Sequence, residues 1–286
     1  MMTPLTLITY NINGINSPIK RKKILTQLKK MQCAIALLQE THLTEKEHLK
    51  LKREWVDQVY FSSYGNSKKR GVAILINKSV YFSCEKVYQD PEGRYIMVVG
   101  TIAGIKLSIL NVYAPNEDCP FFFKKLANLL AEKGEGLLLI GGDMNCVLSN
   151  KLDKLPSTFK SQNRMSKSLA TMMTELGLID IWRHLHPKEK DFTFMSQVYG
   201  SYSRLDHFLI TKKNIHQVKE CLIESITISD HSPVTMKLDL GLEPCFRYWW
   251  LNVSILTDPS IREEIQTAIN EYFVFNDNGM VSPSVL

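Results

Sequence analysis

Residues 71–113 read GVAILINKSVYFSCEKVYQDPEGRYIMVVGTIAGIKLSILNVY. Four stretches rich in β-branched and aromatic residues follow one another, at 71–77, 80–88, 94–102 and 105–113. Between them fall Asn77, Pro91, Gly93 and Gly104, residues that hairpin turns use. Upstream, strands alternate with a helix: 5–11 is a buried strand, 18–31 a helix with Ile24, Leu28 and Met31 on one face, and 34–39 a short apolar strand. Downstream come a helix at 121–132, an apolar strand at 137–140, and a helix at 164–176 that ends at Gly177. Strands at 205–211, 218–228 and 234–240 complete the series. Runs of hairpin strands with inserted helices predict an α/β (α+β) fold, two packed sheets with helices outside.

With 286 residues and 44% hydrophobic content, the chain can bury a sizeable core without metals or disulfides. No apolar run approaches the roughly 20 residues that span a bilayer, so no membrane partner is expected. The opening Met1-Met2-Thr3-Pro4-Leu5 lacks the charged start and cleavage site of a secretory signal. Cys33, Cys84, Cys119, Cys146, Cys221 and Cys245 are scattered, with no Cys-x-x-Cys pair. That argues against structural zinc or a disulfide scaffold and for a reducing, intracellular setting.

The net charge of +6 is uneven. Residues 243–286 carry −4, with Arg247 and Arg262 against six acids and no lysine, and residues 1–242 carry +10. A basic main segment suits a polyanion such as DNA or RNA, although lysine used for solubility gives the same balance. Part of the excess lies on the helix at 18–31, whose second face carries Lys20, Arg21, Lys22, Lys23, Lys29 and Lys30. A boundary is expected near Gly241-Leu242-Glu243-Pro244, between a domain at 1–240 and a linker at 241–286. In the linker, Asp258-Pro259 opens an amphipathic helix at about 258–274, with Ile261, Ile265, Ala268, Ile269 and Tyr272 on one face. The last residues show no period, and the chain reads as a fragment of a longer protein, monomeric by itself.

Six polar clusters follow apolar strands, where α/β scaffolds assemble sites. In Asn11-Ile12-Asn13-Gly14, Asn11 offers an amide to a phosphate or a metal-bound water. In Gln39-Glu40-Thr41-His42, Glu40 closes a buried strand, where a carboxylate needs a cation or a donor. One glutamate is compatible with Mg²⁺, which keeps waters and substrate phosphate in its shell. In Asn111-Val112-Tyr113-Ala114-Pro115-Asn116, Tyr113 can donate to a phosphate oxygen. In Gly141-Gly142-Asp143-Met144-Asn145, an extended chain would point Asp143 and Asn145 to one side. That pairing suits an acid that orients a nucleophile and an amide for a phosphoryl oxygen. Tyr202-Ser203-Arg204-Leu205-Asp206-His207 and Ser229-Asp230-His231-Ser232-Pro233 set His231 among carboxylates, with Asp206 orienting it and Asp230 near a metal. Alone, each has a plain reading: a turn at Asn11, at Gly141–Asp143 and at Ser229–His231, a salt-bridged surface glutamate at Glu40, and edge packing at Tyr113. Together Asn11, Glu40, Tyr113, Asp143, Asn145, Asp206, Asp230 and His231 make a phosphodiester-cleaving set. No serine or cysteine nucleophile motif and no Gly-x-x-x-x-Gly-Lys loop competes.

In that order the motifs resemble the endonuclease/exonuclease/phosphatase superfamily over roughly residues 5–240. The resemblance implies a DNase I-like four-layer α/β sandwich, two facing mixed sheets flanked by helices. Thr9-Tyr10-Asn11-Ile12-Asn13-Gly14-Ile15, Leu38-Gln39-Glu40-Thr41-His42-Leu43, Ile179-Asp180-Ile181-Trp182-Arg183-His184-Leu185-His186-Pro187 and Phe192-Thr193-Phe194 narrow it. They look like the endonuclease of LINE-type non-LTR retrotransposons. Trp250-Leu251-Asn252 and Glu271-Tyr272-Phe273 resemble the segment that joins this endonuclease to its reverse transcriptase.

The resemblance implies nicking of one strand of double-stranded DNA in the nucleus, leaving a 3′-hydroxyl that primes reverse transcription. It implies a Mg²⁺ cofactor, with Mn²⁺ as a substitute, held by Glu40 with Asn11 and Asp230. Asp143 would align or deprotonate the attacking water; Asn145 and His231 would stabilise the transition-state phosphate, Tyr113 assisting and Asp206 orienting His231. Thr193, Ser203, Arg204, Tyr199 and Lys154 would meet the DNA, and Glu40 and His231 should lie within roughly 15 Å of each other to clamp one phosphate. Asn13 departs from the aspartate that abasic-site endonucleases of the superfamily usually carry, and the loop at 196–202 is individual in sequence. An abasic-site endonuclease, a phosphatase and a catalytically decayed DNA-binding module are the rival readings.

Overall fold

The computed structural model describes residues 4–156, 163–196, 198, 200–241 and 256–276. In chain order the first strands are β1 (Leu5–Asn11), β2 (Ile35–Gln39), β3 (Val56–Ser62), β4 (Val72–Asn77), β5 (Phe82–Gln89), β6 (Tyr95–Ile102), β7 (Ile105–Tyr113) and β8 (Leu137–Asp143). There follow β9 (Lys154–Leu155), β10 (Leu178–Asp180), β11 (Phe194–Ser196), β12 (Ser201–Ser203), β13 (Asp206–Thr211), β14 (Val218–Ile223) and β15 (Val234–Leu238). The helices are α1 (Pro18–Lys30), α2 (Glu45–His48), α3 (Phe121–Lys133), α4 (Arg164–Glu175), α5 (Ile181–Leu185) and α6 (Pro259–Asn276).

Two six-stranded sheets run β14-β15-β1-β2-β4-β3 and β10-β13-β8-β7-β6-β5, and a ribbon runs β11-β12-β9. Both large sheets are mixed, with β1–β2 and β7–β8 parallel. Side-chain alternation builds the layers. In β2, Ile35 and Leu37 join the layer between the sheets, while Ala36 and Leu38 pack with Ile24, Leu25 and Leu28 of α1. In β7, Leu107 and Ile109 point to the inter-sheet layer, while Leu110 and Val112 pack with Phe123 of α3 and Leu169 of α4. Three apolar layers therefore separate helices, sheet, sheet and helices.

The run at 71–113 divides between the two sheets, which corrects the hairpin expected at Asn77. β4 pairs with β2 and β3, whereas β5, β6 and β7 pair in the other sheet. The Asn77 side chain accepts from the backbone of Ser79 at 2.9 Å, and the chain then crosses between sheets with Val80 and Phe82 buried in the inter-sheet layer. The strand expected at 218–228 stops at Ile223. Arg21, placed above on the exposed basic face, is buried and donates to the carbonyls of Ile15 and Asn16. It anchors the turn before α1. The chain divides into two compact units, Met1–Glu243 and Pro244–Leu286. In the second, Asp258 accepts from the backbone of Ser260 at 2.9 Å at the start of α6. No helix among the described residues is long and apolar enough to cross a membrane.

Near β8, β9 and β13 the fold buries a network of charge. Arg204 is 0% exposed. Its guanidinium donates to Asp153 at 2.9 Å and to Asp180 at 2.7 and 3.2 Å, and lies 5.1 Å from the Trp182 ring. Arg183 adds a 2.6 Å bond to Asp153. Burial alone would raise the Asp180 carboxyl, but the charge and bonds of Arg204 and His207 hold it below the usual carboxylate range. The network ties the start of the ribbon to α5 and to the turn that feeds Asp206.

Two outcomes are expected. Gly142 has φ +148°, and an added Cβ would lie 1.9 Å from the Val112 carbonyl oxygen. Gly142→Ala should therefore lose roughly 2–5 kcal/mol in urea unfolding. Arg204→Ala should lose about 3–5 kcal/mol, because Asp180 would stay buried without its guanidinium and Asp153 would keep only the cation of Arg183. Since the folded-state pKa of Asp180 is depressed, its contribution is present above the ordinary aspartate range and lost as pH falls. The urea midpoint of the unaltered protein should drop between about pH 5 and pH 3.

Candidate active site

The inward-pointing positions of β1, β2, β7, β8 and β13 stay apolar along most of their length and turn polar at one end. Inside that end, Gln39 donates to Thr9 at 3.0 Å and to Asn111 at 2.7 Å, and Asn111 donates to the carbonyls of Leu38 and Ala73 at 2.9 Å each. This buried seam joins the two sheets just beneath the site.

Asn11 is the hub. Its amide donates to Glu40 at 3.0 Å and to Asp143 at 2.9 Å, while its oxygen accepts from the Asn13 backbone at 3.1 Å. Asp206 pairs with Asp143 across β13 and β8, and its carboxylate accepts from His231 Nδ1 at 2.8 Å. His231 Nε2 lies 4.0 Å from Asp143. These short steps connect Glu40 to His231. Thr193 Oγ1 accepts from the backbone N–H groups of Leu205 and Asp206, at 3.0 and 3.1 Å, and so fixes where the aspartate starts. Phe194 packs 4.8 Å from the His231 ring.

Backbone strain is concentrated here. Asn13, Glu40, His42 and Asn145 all have positive φ, between 42° and 55°. The turn that carries Glu40 is secured on both sides: its carbonyl accepts from Gly14 at 2.7 Å, and the next residue, Thr41, donates to Gly71 at 3.0 Å. Thr41 also bonds the buried His48 at 2.8 Å. An added Cβ at Gly71, whose φ is +91°, would meet Thr41 Oγ1 at 2.4 Å.

Burial by itself would raise the Glu40 carboxyl, but bonds from His42, Asn11 and Tyr113 bring it down to about 2. Asp143 goes the other way. Burial, reinforced by the charge of Asp206, lifts it far above the usual carboxylate range. Burial alone would lower His231; the charge of Asp206 and its bond, then Asp143 and Asp230, raise it above the ordinary histidine range. Tyr113 is raised, first by burial and then by Glu40 and Asp143.

Asn11, Glu40, Asp143, Asp206 and His231 lie together. Asp143 and Asn145 do not share a face of an extended strand. Asn145 turns back at φ 48°, donates its backbone N–H to Asp143 at 2.9 Å, and sends its side chain to Ala114 O at 2.7 Å. Arg204 and Thr193, expected at the DNA, are both 0% exposed; one holds the charge network and the other holds Asp206. Ser203 and Lys154 face each other as half-buried partners in the ribbon. Tyr199 lies outside the described residues. Asp230 is exposed, accepting from Asn13 at 3.2 Å and from Ser229 at 3.1 Å. The holding roles of Thr193, Asp153 and Asp180 escaped sequence reading; only the N-cap position of Asp180, which accepts from Arg183 N, carried a local signal.

A divalent cation fits this donor set. Glu40 is ionised, 21% exposed and offers hard oxygens, as Mg²⁺ or Mn²⁺ requires. The Asn11 amide, set between two carboxylates, stands where positive charge is wanted. One ligand atom each from Asp143, Asp206 and His231 also lie within 4.8 Å of one another.

Comparison with known proteins agrees with this fold. Over 279 residues the chain is 25% identical to the Transposon TX1 uncharacterized 149 kDa protein of Xenopus laevis, spanning 96% of this chain and 21% of that protein. The fold matches the AP endonuclease LMAP of Leishmania major with TM-score 0.68, at 18% identity and 83% and 88% coverage of this chain and that one. It also matches the endonuclease domain of TRAS1, a telomere-specific non-LTR retrotransposon, with TM-score 0.62, 17% identity and 84% and 100% coverage. The model of the Endonuclease/Exonuclease/phosphatase family matches residues 8–231, and the chain belongs to that family.

Proposed function

We propose that this protein is the endonuclease of a non-LTR retrotransposon polyprotein, which nicks one strand of double-stranded DNA in the nucleus. The observation that carries the reading is the Asn11 bridge between Glu40 and Asp143, with His231 held on Asp206 alongside. The similarity to the TX1 transposon protein and the fold shared with the TRAS1 endonuclease domain support the retrotransposon setting. The chain spans about a fifth of the TX1 protein, so its continuation into a reverse transcriptase is part of the proposal.

Glu40, with Asn11 and Asp230 nearby, would hold Mg²⁺, with Mn²⁺ as a substitute. The ion would offset charge that builds on the scissile phosphate. Asp143, with its raised proton affinity, takes a proton from a water aligned against phosphorus. The water oxygen bonds to phosphorus, the P–O3′ bond breaks, and the 3′-oxygen leaves and is protonated from solvent. The products are a 5′-phosphate and the 3′-hydroxyl needed for priming. His231 Nε2–H donates to a phosphoryl oxygen, Asn145 Nδ2 and the Tyr113 hydroxyl exchange their bonds to Asn116 Oδ1 for phosphoryl oxygens when substrate enters, and Asp206 keeps the His231 ring oriented.

With Mg²⁺, the chain should convert supercoiled plasmid to open circles, and EDTA should abolish the conversion. His231→Ala and Asp143→Asn should each lower kcat by about 10²–10³-fold while still binding DNA in a salt-sensitive gel shift. Cleavage confined to abasic duplex, or phosphate release without nicking, would overturn the assignment. Thr193→Val removes the acceptor of two backbone N–H groups beneath Asp206. It should slow kcat by roughly tenfold in the same plasmid assay, with little change in KM.

A further inference from the structure

We propose that Arg94 is a positioning residue for this reaction, holding Tyr113 and Asn145 in register through the Ala114 carbonyl. The inference rests on the reading of Tyr113 and Asn145 as donors to the phosphate. Arg94 ends the turn Asp90-Pro91-Glu92-Gly93, just before β6. Its backbone N–H donates to Asp90 Oδ2 at 3.1 Å and its carbonyl accepts from Tyr113 N at 2.7 Å.

The side chain is half-buried and touches the site from behind. Its guanidinium carbon lies 4.9 Å from the centre of the Tyr113 ring, and Nη1 donates to Ala114 O at 3.2 Å. That carbonyl also accepts from Asn145 Nδ2 at 2.7 Å. Asn145 Nδ2 donates as well to Asn116 Oδ1 at 3.1 Å, and the same oxygen accepts from the Tyr113 hydroxyl at 3.4 Å. Arg94, Ala114, Asn145, Asn116 and Tyr113 thus close a ring of contacts.

The turn is also laced to the Glu40 side. Gly71 donates to Gly93 O at 3.1 Å, and Thr41 donates to Gly71 O at 3.0 Å. A planar guanidinium can cover a ring with its face while an edge donates to a carbonyl; a lysine ammonium is a point charge and cannot do both.

The test is steady-state nicking of supercoiled plasmid by the full chain and by Arg94→Met, Arg94→Lys, Tyr113→Phe and the double variant Arg94→Met with Tyr113→Phe. Arg94→Met should lower kcat about tenfold, with KM for DNA and the slope of log KM against log salt unchanged. Arg94→Lys should recover part of that loss, and carries the test if Arg94→Met does not fold. The double variant should be nearly as active as the slower single variant, because Arg94, Tyr113 and Asn145 act as one connected ring of contacts that either change breaks. Multiplying effects in the double variant, or a salt slope shallower by about one, would overturn the inference; the second would make Arg94 a phosphate contact instead. If Tyr113→Phe is slow and Arg94→Met is not, the inference alone fails. If the unaltered chain does not nick, or Tyr113→Phe has no effect, the underlying reading fails and takes the inference with it.

Discussion

Crowding negative charge into the closing end of an apolar layer is the constraint on which the rest of this structure depends. Asp143 and Asp206 are almost fully buried and Glu40 is close by. A carboxylate stripped of water costs several kcal/mol unless donors or cations replace the lost hydration. Asn11 supplies N–H to two of the three, His231 supplies N–H and charge to the third, and the backbone N–H of Asn145 supplies another to Asp143. One group is left over: Asp206 Oδ1 has no partner among the described residues. The site is therefore short of positive charge, which suits the cation of the proposed function.

Such a cluster persists only because its frame cannot relax around it. Strand parity aims Asn11, Tyr113, Asp143 and Asp206 along the same side as Leu7, Ile109, Leu139 and Phe208, so moving a carboxylate outward would carry apolar neighbours with it. Four residues with positive φ surround the centre: Glu40 O accepts from Gly14 N, His42 N donates to Arg70 O, and Asn13 and Asn145 donate their backbone N–H to the side chains of Asn11 and Asp143. Below them the Gln39–Asn111 seam locks one sheet to the other. To one side, the Arg204 network fixes the turn from which Asp206 emerges.

Much of this was legible in the sequence because it depends on local chemistry. Apolar and β-branched runs between turn residues located most of the strands of both sheets, and Asn11, Glu40, Tyr113 and Asp143 lie at strand ends as expected, whereas Asp206 opens β13 and His231 precedes β15. What stayed hidden depends on long-range pairing. No local pattern says that β4 and β5, neighbours in sequence, belong to different sheets. Arg204, set between Ser203 and Leu205, reads as a surface cation near DNA; only Asp153 and Asp180, 51 and 24 residues away, make burial tolerable. Thr193 is similar, since its value lies in two N–H groups a dozen residues on. The same-side geometry expected for Asp143 and Asn145 failed for a local reason: it assumed extended backbone where the chain turns.

The division of labour proposed for Glu40 and Asp143 draws on their surroundings, although the two share one bridging amide. Glu40 sits at a partly open edge and collects donors from His42, Asn11 and Tyr113, so it keeps its charge and is poorly suited to accept a proton. Asp143 is enclosed and faces Asp206, so its proton affinity rises toward the range in which a base works near neutral pH. Paired carboxylates pushed apart in this way take separate parts in catalysis. The proposed assignment of Glu40 to the cation and Asp143 to the water thus draws on burial, neighbouring charge and hydrogen bonding in this chain.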